Sequence, residues 1–285
     1  MGRFGRSWEI TKLTFGVIGK DKEMLLFPLI GSIASLLYIA AILYPAGVLD
    51  LLQQGDEAHL DVGVVQYLLL FVLYFGLAFI ATFFNVCVVY TTKIRFAGGD
   101  ATFGESIAYG LKKLPIIVQW ALVSAVFGLL MAFLERLAER MGGAGEIVLN
   151  IVRGLVGMVW SIVTLFVIPT LVYEDVGPKE AIKRSTEVIK RTWGESLIRH
   201  FTLGLVQFGA VLLVIGFAAL LWTILPGMAG MIAAFVVGVV GTMMVILVFN
   251  VANTVFNTAL YVYGTTGQEP GEFAKETLDG AFRTR

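Results

Sequence analysis

Cysteine, histidine, proline and charge are all scarce in this chain of 285 residues. A single cysteine, Cys87, excludes an intramolecular disulfide and leaves the redox compartment unreadable. The two histidines, His59 and His200, are about as far apart as the expected topology allows and make no metal site together. Charged residues make up 15%, against about 25% in an ordinary soluble domain. Lysine plus arginine and aspartate plus glutamate balance at 21 each, which excludes a basic nucleic-acid binder. What is abundant is apolar: 58% hydrophobic residues, a mean hydropathy of +0.84, and 32 glycines against seven prolines. A soluble globule has no way to hide that much apolar surface, so the composition predicts a chain whose solvent is the bilayer.

The N-terminal Arg3, Arg6 and Lys12 superficially suggest a signal peptide. The apolar run from Met24 to Leu49 is 26 residues long, however, and no small-residue cleavage pattern follows it, so it reads as a retained anchor. A charge at mid-bilayer costs at least ~2.5 kcal/mol, so charge-free stretches mark the spans. They run 24–49, 62–92, 114–134, 154–173 and 200–268. The fourth is expected to start near Ile147, with Arg153 snorkelling at its interface. The last is too long for one crossing of roughly 20 residues. Pro226-Gly227 divides it into spans of about 197–225 and 230–263. Six spans put both termini on one side. Of the 21 lysines and arginines, 18 fall in the segments on that side and three, Arg136, Arg140 and Arg153, on the other. The positive-inside rule then places both termini in the cytoplasm.

A repeat is also visible. Thr82-Phe83-Phe84-Asn85 in the second span is echoed by Thr254-Val255-Phe256-Asn257 in the sixth and by Thr164-Leu165-Phe166 in the fourth. Both later copies continue to a tyrosine (Tyr173, Tyr263) and then a glycine (Gly177, Gly267) at equal offsets. Amphipathic segments precede the hairpins. Thr102-Phe103-Gly104-Glu105 reads as a capping box opening a stripe of Phe103, Ile107, Leu111 and Leu114. From Pro178, the residues Ile182, Ile189 and Trp193 share a face opposite Lys183, Arg184, Lys190 and Arg191. The N-terminal segment, with Trp8, Leu13 and Val17 and Ser7 as its cap, looks like a relative. Ala274, Leu278 and Phe282 suggest another in the tail. Such helices suit the interface, apolar face in lipid and cations on lipid phosphates, although packing against the bundle is the plainer alternative. The expected fold is all-α and polytopic: six transmembrane helices as three hairpins, each preceded by a cytoplasmic amphipathic helix, with an internal triplication. Residues 1–285 form one membrane domain, with repeat units of about 1–99, 100–177 and 178–267 and a C-terminal amphipathic helix over 268–285.

Candidates for chemistry are few. Asn250, Asn253 and Asn257 form a polar stripe extended by Thr254, with Asn85 at the matching depth in the second span. They either line a polar vestibule or join helices by hydrogen bonds. Glu174-Asp175 is the only adjacent carboxylate pair at a span end and suits a cation or acid–base role less well than a helix lead-in. Glu135, Arg136, Glu139 and Arg140 look like a solvated helix face. Gly31-x-x-x-Ser35, Gly154-x-x-Gly157, Gly238 and Gly241 allow close helix contact. Neither a metal motif, a nucleophile motif nor a phosphate loop is present, so no enzyme, cofactor or metal is expected.

The chain resembles a domain-of-unknown-function family of prokaryotic six-helix membrane proteins. The resemblance rests on Gly5-Arg6-Ser7-Trp8, Lys20-Asp21-Lys22-Glu23, Phe27-Pro28, Phe84-Asn85, Trp160-Ser161 and Ile168-Pro169. It continues through Glu180-Ala181-Ile182-Lys183-Arg184-Ser185, Thr192-Trp193-Gly194-Glu195, Ala259-Leu260-Tyr261, Thr266-Gly267 and Ala281-Phe282. It implies a bacterial or archaeal inner membrane and brings no activity. More loosely, the alternation of inner helices and hairpins is similar to Yip-like membrane domains. The expected function is a self-associating structural or membrane-organising protein that contacts lipids. The rival is a channel or facilitator for a small or amphiphilic solute.

Overall fold

The computed structural model describes residues 3–44, 64–192, 202–225, 227–271 and 273. Every regular element among them is helical. The helices are α1 (Arg3–Lys20), α2 (Leu26–Leu43), α3 (Val64–Phe96), α4 (Phe103–Lys112) and α5 (Leu114–Met141). They continue with α6 (Gly143–Val163), α7 (Val167–Tyr173), α8 (Pro178–Thr192), α9 (Thr202–Ile224) and α10 (Gly227–Thr266). A 3-10 turn, Lys22–Leu25, joins α1 to α2. Six stretches are long and apolar enough to cross a membrane: α2 with its leading turn, α3, α5, α6 with α7, α9, and α10. The chain is therefore an all-α, multi-pass membrane protein.

Boundaries follow local chemistry. Pro178 opens α8 and Pro115 stands in the first turn of α5, positions where a missing N–H costs nothing. α3 stops at Gly98, whose φ of +81° is the left-handed value glycine tolerates best. There the Gly98 N–H bonds the Arg95 carbonyl and the Gly99 N–H the Ile94 carbonyl, both at 3.0 Å. Ser7, expected as a cap, lies inside α1, which begins four residues earlier. Residues 268–270 are irregular, and the rest of the expected C-terminal helix, 274–285, lies outside the described residues. So do His59, Trp193 and His200.

The described helices form two compact units. One comprises Met1–Pro28, Val88–Phe103 and Val188–Arg285; the other comprises Leu29–Cys87 and Gly104–Glu187. In the first, α9 and α10 pack as an antiparallel pair, with α1 lying against both. A Cβ on Gly241 would stand 2.7 Å from Val214, and one on Gly238 3.6 Å from Ala218, so these glycines serve contact within the chain. In the second unit α5 pairs with α6, and α2 meets α3. Tyr38 Oη donates to the Val72 carbonyl at 2.6 Å, and a Cβ on Gly76 would sit 2.1 Å from the Tyr38 ring.

Each inner helix has a side that packs against protein. On α1, Thr14, Val17 and Ile18 are buried against protein, as are Ala181, Ser185, Val188 and Ile189 on α8. On α4 the buried positions are Ser106 and Gly110, while Leu111 of the expected stripe is exposed. The reason is closeness. A Cβ on Gly110 would meet Cys87 Sγ and Phe83 at 3.0 Å, so the protein-facing side of α4 has room only for small residues. Burial concentrates at the span ends that meet these helices (the inner ends), whereas the opposite stretches expose leucine, isoleucine, valine and methionine.

Candidate functional site

The first unit carries a buried ion pair. Asp21 follows α1, and its N–H closes that helix on the Val17 and Ile18 carbonyls at 3.3 and 3.2 Å. Its carboxylate is only 6% exposed and takes both arms of the Arg95 guanidinium, one through Nε and one through Nη2. Arg95 Nη2 also reaches Asp100 at 2.7 Å, just past the Gly98 turn. Glu23 accepts the Phe103 N–H, the first of α4, at 2.7 Å, an anion at a helix N-terminus. Phe27 stacks on Phe103 with ring centroids 4.9 Å apart. Sequence reasoning missed this clasp. Its signal was one arginine ending a long apolar run and one aspartate directly after a helix.

The second unit has its counterpart. Lys113, after α4, bonds the Asp175 carboxylate, after α7, and its ammonium stands 5.5 Å from the Tyr109 ring centre. Tyr109 Oη donates to the Val172 carbonyl at 3.0 Å. Asp175 adopts a φ of +53°, and the hydrogen bond from Lys113 holds its carboxyl below its ordinary value. Its neighbour Glu174 accepts from Arg184 at 3.4 Å, and Arg184 also reaches Glu180 at 3.3 Å and Glu187 at 3.7 Å. The Glu174-Asp175 pair is thus split between two cations of different helices. Of the four expected phosphate contacts, Arg184 stands among three carboxylates and Lys183 is 3.7 Å from Glu180, while Lys190 and Arg191 are exposed.

The fourth span, expected as one helix from near Ile147 to Tyr173, is two. Pro169 lacks the N–H that the Leu165 carbonyl needs, and its ring crowds that carbonyl, so the helix breaks at Thr164–Phe166. Ile168-Pro169 was legible, but its consequence was not drawn. The freed Phe166 N–H donates to Ser185 Oγ of α8 at 3.1 Å, and both residues are fully buried. Irregular backbone within a span persists only where protein or water satisfies it. The mid-membrane Trp160 stacks between Trp120, at 5.9 Å, and Phe127, at 4.1 Å, both on α5. Trp120, Val167, Leu171 and Ala181 form one buried cluster beside the break.

At the opposite end of α5 and α6 lies a cleft of about 530 Å³, lined among others by Glu135, Glu139, Glu146, Asn150 and Arg153. Arg153, expected to snorkel at the interface, pairs with Glu135 at 2.6 Å. Arg136, from the same expected solvated lattice, lies 5.5 Å from the Tyr67 ring centre. No group of three histidine, cysteine, aspartate or glutamate side chains among the described residues is arranged to hold a metal.

Asn250, Asn253, Thr254 and Asn257 share one face of α10, Asn250 exposed and the others half-buried. The contacts of Gly241 and Gly238 set a register that brings Asn253 level with Thr202, the start of α9. The stripe therefore stands at the inner end of the hairpin, beside the Phe15–Phe249 contact of α1 with α10. Thr254 Oγ1 donates to the Asn250 carbonyl at 3.0 Å. Asn85 is half-buried on α3 in the other unit, next to Phe84, which abuts Gly31.

No curated protein matches the chain. The model of one family, described as a family of unknown function, DUF6159, matches residues 64–271. That range takes in five of the six spans together with Arg95, the broken fourth span, α8 and the asparagine stripe. On this match over most of its length, the chain belongs to the DUF6159 family.

Proposed function

We propose that this is a non-enzymatic, self-associating structural protein of the inner membrane, with both termini cytoplasmic. The observation that carries the reading is how bare the spans are. Only 6% of the most apolar window of α3, α9 and α10 is buried inside the protein. A six-span chain that carried solute through its own interior would bury much more.

α10 offers the face for assembly. Ile232, Val236, Val239, Met243 and Ile246 are all exposed, at alternating steps of four and three, and the same series continues into Asn250, Asn253 and Asn257. That is a heptad seam. Copies in one membrane are parallel, so each asparagine meets its own counterpart, and an amide both donates and accepts. The charged groups favour a structural role, since the most buried of them tie helices together. Lys190 and Arg191 are left for inner-leaflet phosphates.

An internal triplication supports the same architecture. Each hairpin is preceded by a short inner helix, and each even span is followed by a residue of positive φ: Gly98, Asp175 and Gly267. Thr164 and Thr254 also make the same bond to the carbonyl four residues back.

Cysteine cross-linking in membranes tests the assembly. With Cys87→Ala as background, Met243→Cys is expected to form a disulfide-linked dimer and Leu213→Cys, exposed on α9, is not. No link at Met243, or equal linking at both sites, would contradict the reading. A second reading is passage of a small solute, with the asparagine stripe of α10 as its polar lining. It requires Asn253→Leu and Asn257→Leu to abolish flux in liposomes at unchanged folded yield.

A further inference from the structure

The seam of α10 differs between its two kinds of position. It runs through Ile232, Val236, Val239, Met243 and Ile246, all exposed, at alternating steps of four and three. In a heptad, a step of three leads from a to d and a step of four from d to the next a. Ile232, Val239 and Ile246 therefore stand at d, with Val236 and Met243 at a. All three d residues are β-branched, whereas Met243 at a is unbranched. Parallel pairs favour β-branched a with leucine at d, and β-branched d shifts the preference to three or four helices. In a pair the d side chain points straight at its partner, where a stiff branch at Cβ collides; a wider ring turns it alongside. The series continues into Asn250, Asn253 and Asn257, at a, d and a. Their side chains make no hydrogen bond among the described residues, although Asn253 and Asn257 are half-buried. An amide removed from water costs free energy until it is paired. α9 and α1 sit on other faces of α10, at Gly238 and Gly241 and at Phe249. What pairs the amides is their own counterpart in a parallel copy.

We propose that three or four parallel copies of α10 surround one axis, so that Asn250, Asn253 and Asn257 form stacked amide rings to which every copy contributes one residue. This rests on the proposed self-association and goes beyond it, because it sets the order of assembly and builds a polar well that no single chain contains. Within each ring an N–H of one amide bonds the carbonyl oxygen of the next, and the remaining N–H groups and lone pairs face the axis and hold water. The five layers from Ile232 to Ile246 carry no side-chain hydrogen-bond donor, so they seal the well on one side. It opens only toward the inner ends of the helices, which makes it a wet socket at the centre of the assembly.

Native mass spectrometry of the full chain in mild detergent counts the copies, and three or four are expected. A variant with the branching exchanged carries Ile232→Leu, Val239→Leu, Ile246→Leu and Met243→Ile. It places β-branched residues at a and leucine at d, so the order should fall to two. The four side chains are exposed in the single chain, so its own packing is left in place. A second measurement reads the well. In the Cys87→Ala background, Asn250→Cys in membranes should react with a water-soluble maleimide several-fold faster in the ring than in the branching-exchanged variant, because a thiol ionises only where water reaches it. A parent that is a dimer overturns the ring and leaves self-association standing, whereas a monomer removes both. An order of three or four that survives the exchange overturns the ring as well. Equal maleimide rates in the two backgrounds overturn the well.

Discussion

Asp21 is held by both arms of one guanidinium at the junction of α1, α3 and the loop before α4. Removing one partner of a buried pair strands the other charge, at about 3–5 kcal/mol. Arg95→Met is therefore expected to destabilise by about 3 kcal/mol. Asp21→Leu combined with Arg95→Met should cost less than Arg95→Met alone, because nothing charged is left buried. Thermal unfolding in detergent compares the two, and a double variant worse than the single would contradict the buried-pair account. Asp175 is different, being largely exposed. Its carboxyl is depressed by Lys113, so its contribution is present above the ordinary value of 3.8 and is lost as pH falls below that value. Asp175→Asn keeps a residue tolerant of positive φ while removing the charge. The variant and the parent should differ in unfolding midpoint at pH 7 and converge as pH falls below 3.8 through the lowered pKa of Asp175. A constant difference across that range would remove the ion pair as its cause.

At the scale of elements, the sequence located the spans well and the partners of the inner helices poorly. Charge-free runs and the Pro226-Gly227 break have a direct physical cause in the cost of burying charge, so they were legible. The faces of α4 and α8 were not. Periodicity found the large apolar residues Leu111 and Ile182, but close packing is made by the small ones, Gly110, Ala181 and Ser185. Smallness signals contact only once a neighbour is known. The same holds for Ser185, whose role exists only because the turn at 164–166 leaves the Phe166 N–H without a helical partner. Ala181→Leu separates the two placements of α8. A helix resting on lipid would accept the larger side chain, whereas the observed packing predicts a loss of about 1–3 kcal/mol from overpacking. Folded yield and unfolding midpoint report it, and an unchanged midpoint would return α8 to the lipid surface.

For the molecule as a whole, two facts belong together. The inner ends of the helices are held by packing, ion pairs and capped backbone, and the opposite stretches are almost bare. The asparagine stripe lies on the boundary between those regions. Sequence spacing found the stripe but did not show that it continues an exposed heptad seam, because every face of an apolar helix looks alike until burial distinguishes them. Replacing Asn250, Asn253 and Asn257 together by leucine should weaken assembly, with each interhelical amide contact contributing about 0.6–2 kcal/mol. The inner clasp should be untouched.

The most direct test is native mass spectrometry of the protein released from a mild detergent, beside the triple asparagine-to-leucine variant. The proposed self-association predicts a closed oligomer of one defined size for the parent and a shift toward monomer for the variant. A parent that is monomeric throughout would contradict self-association, and a single small solute retained by that monomer would turn the reading to transport.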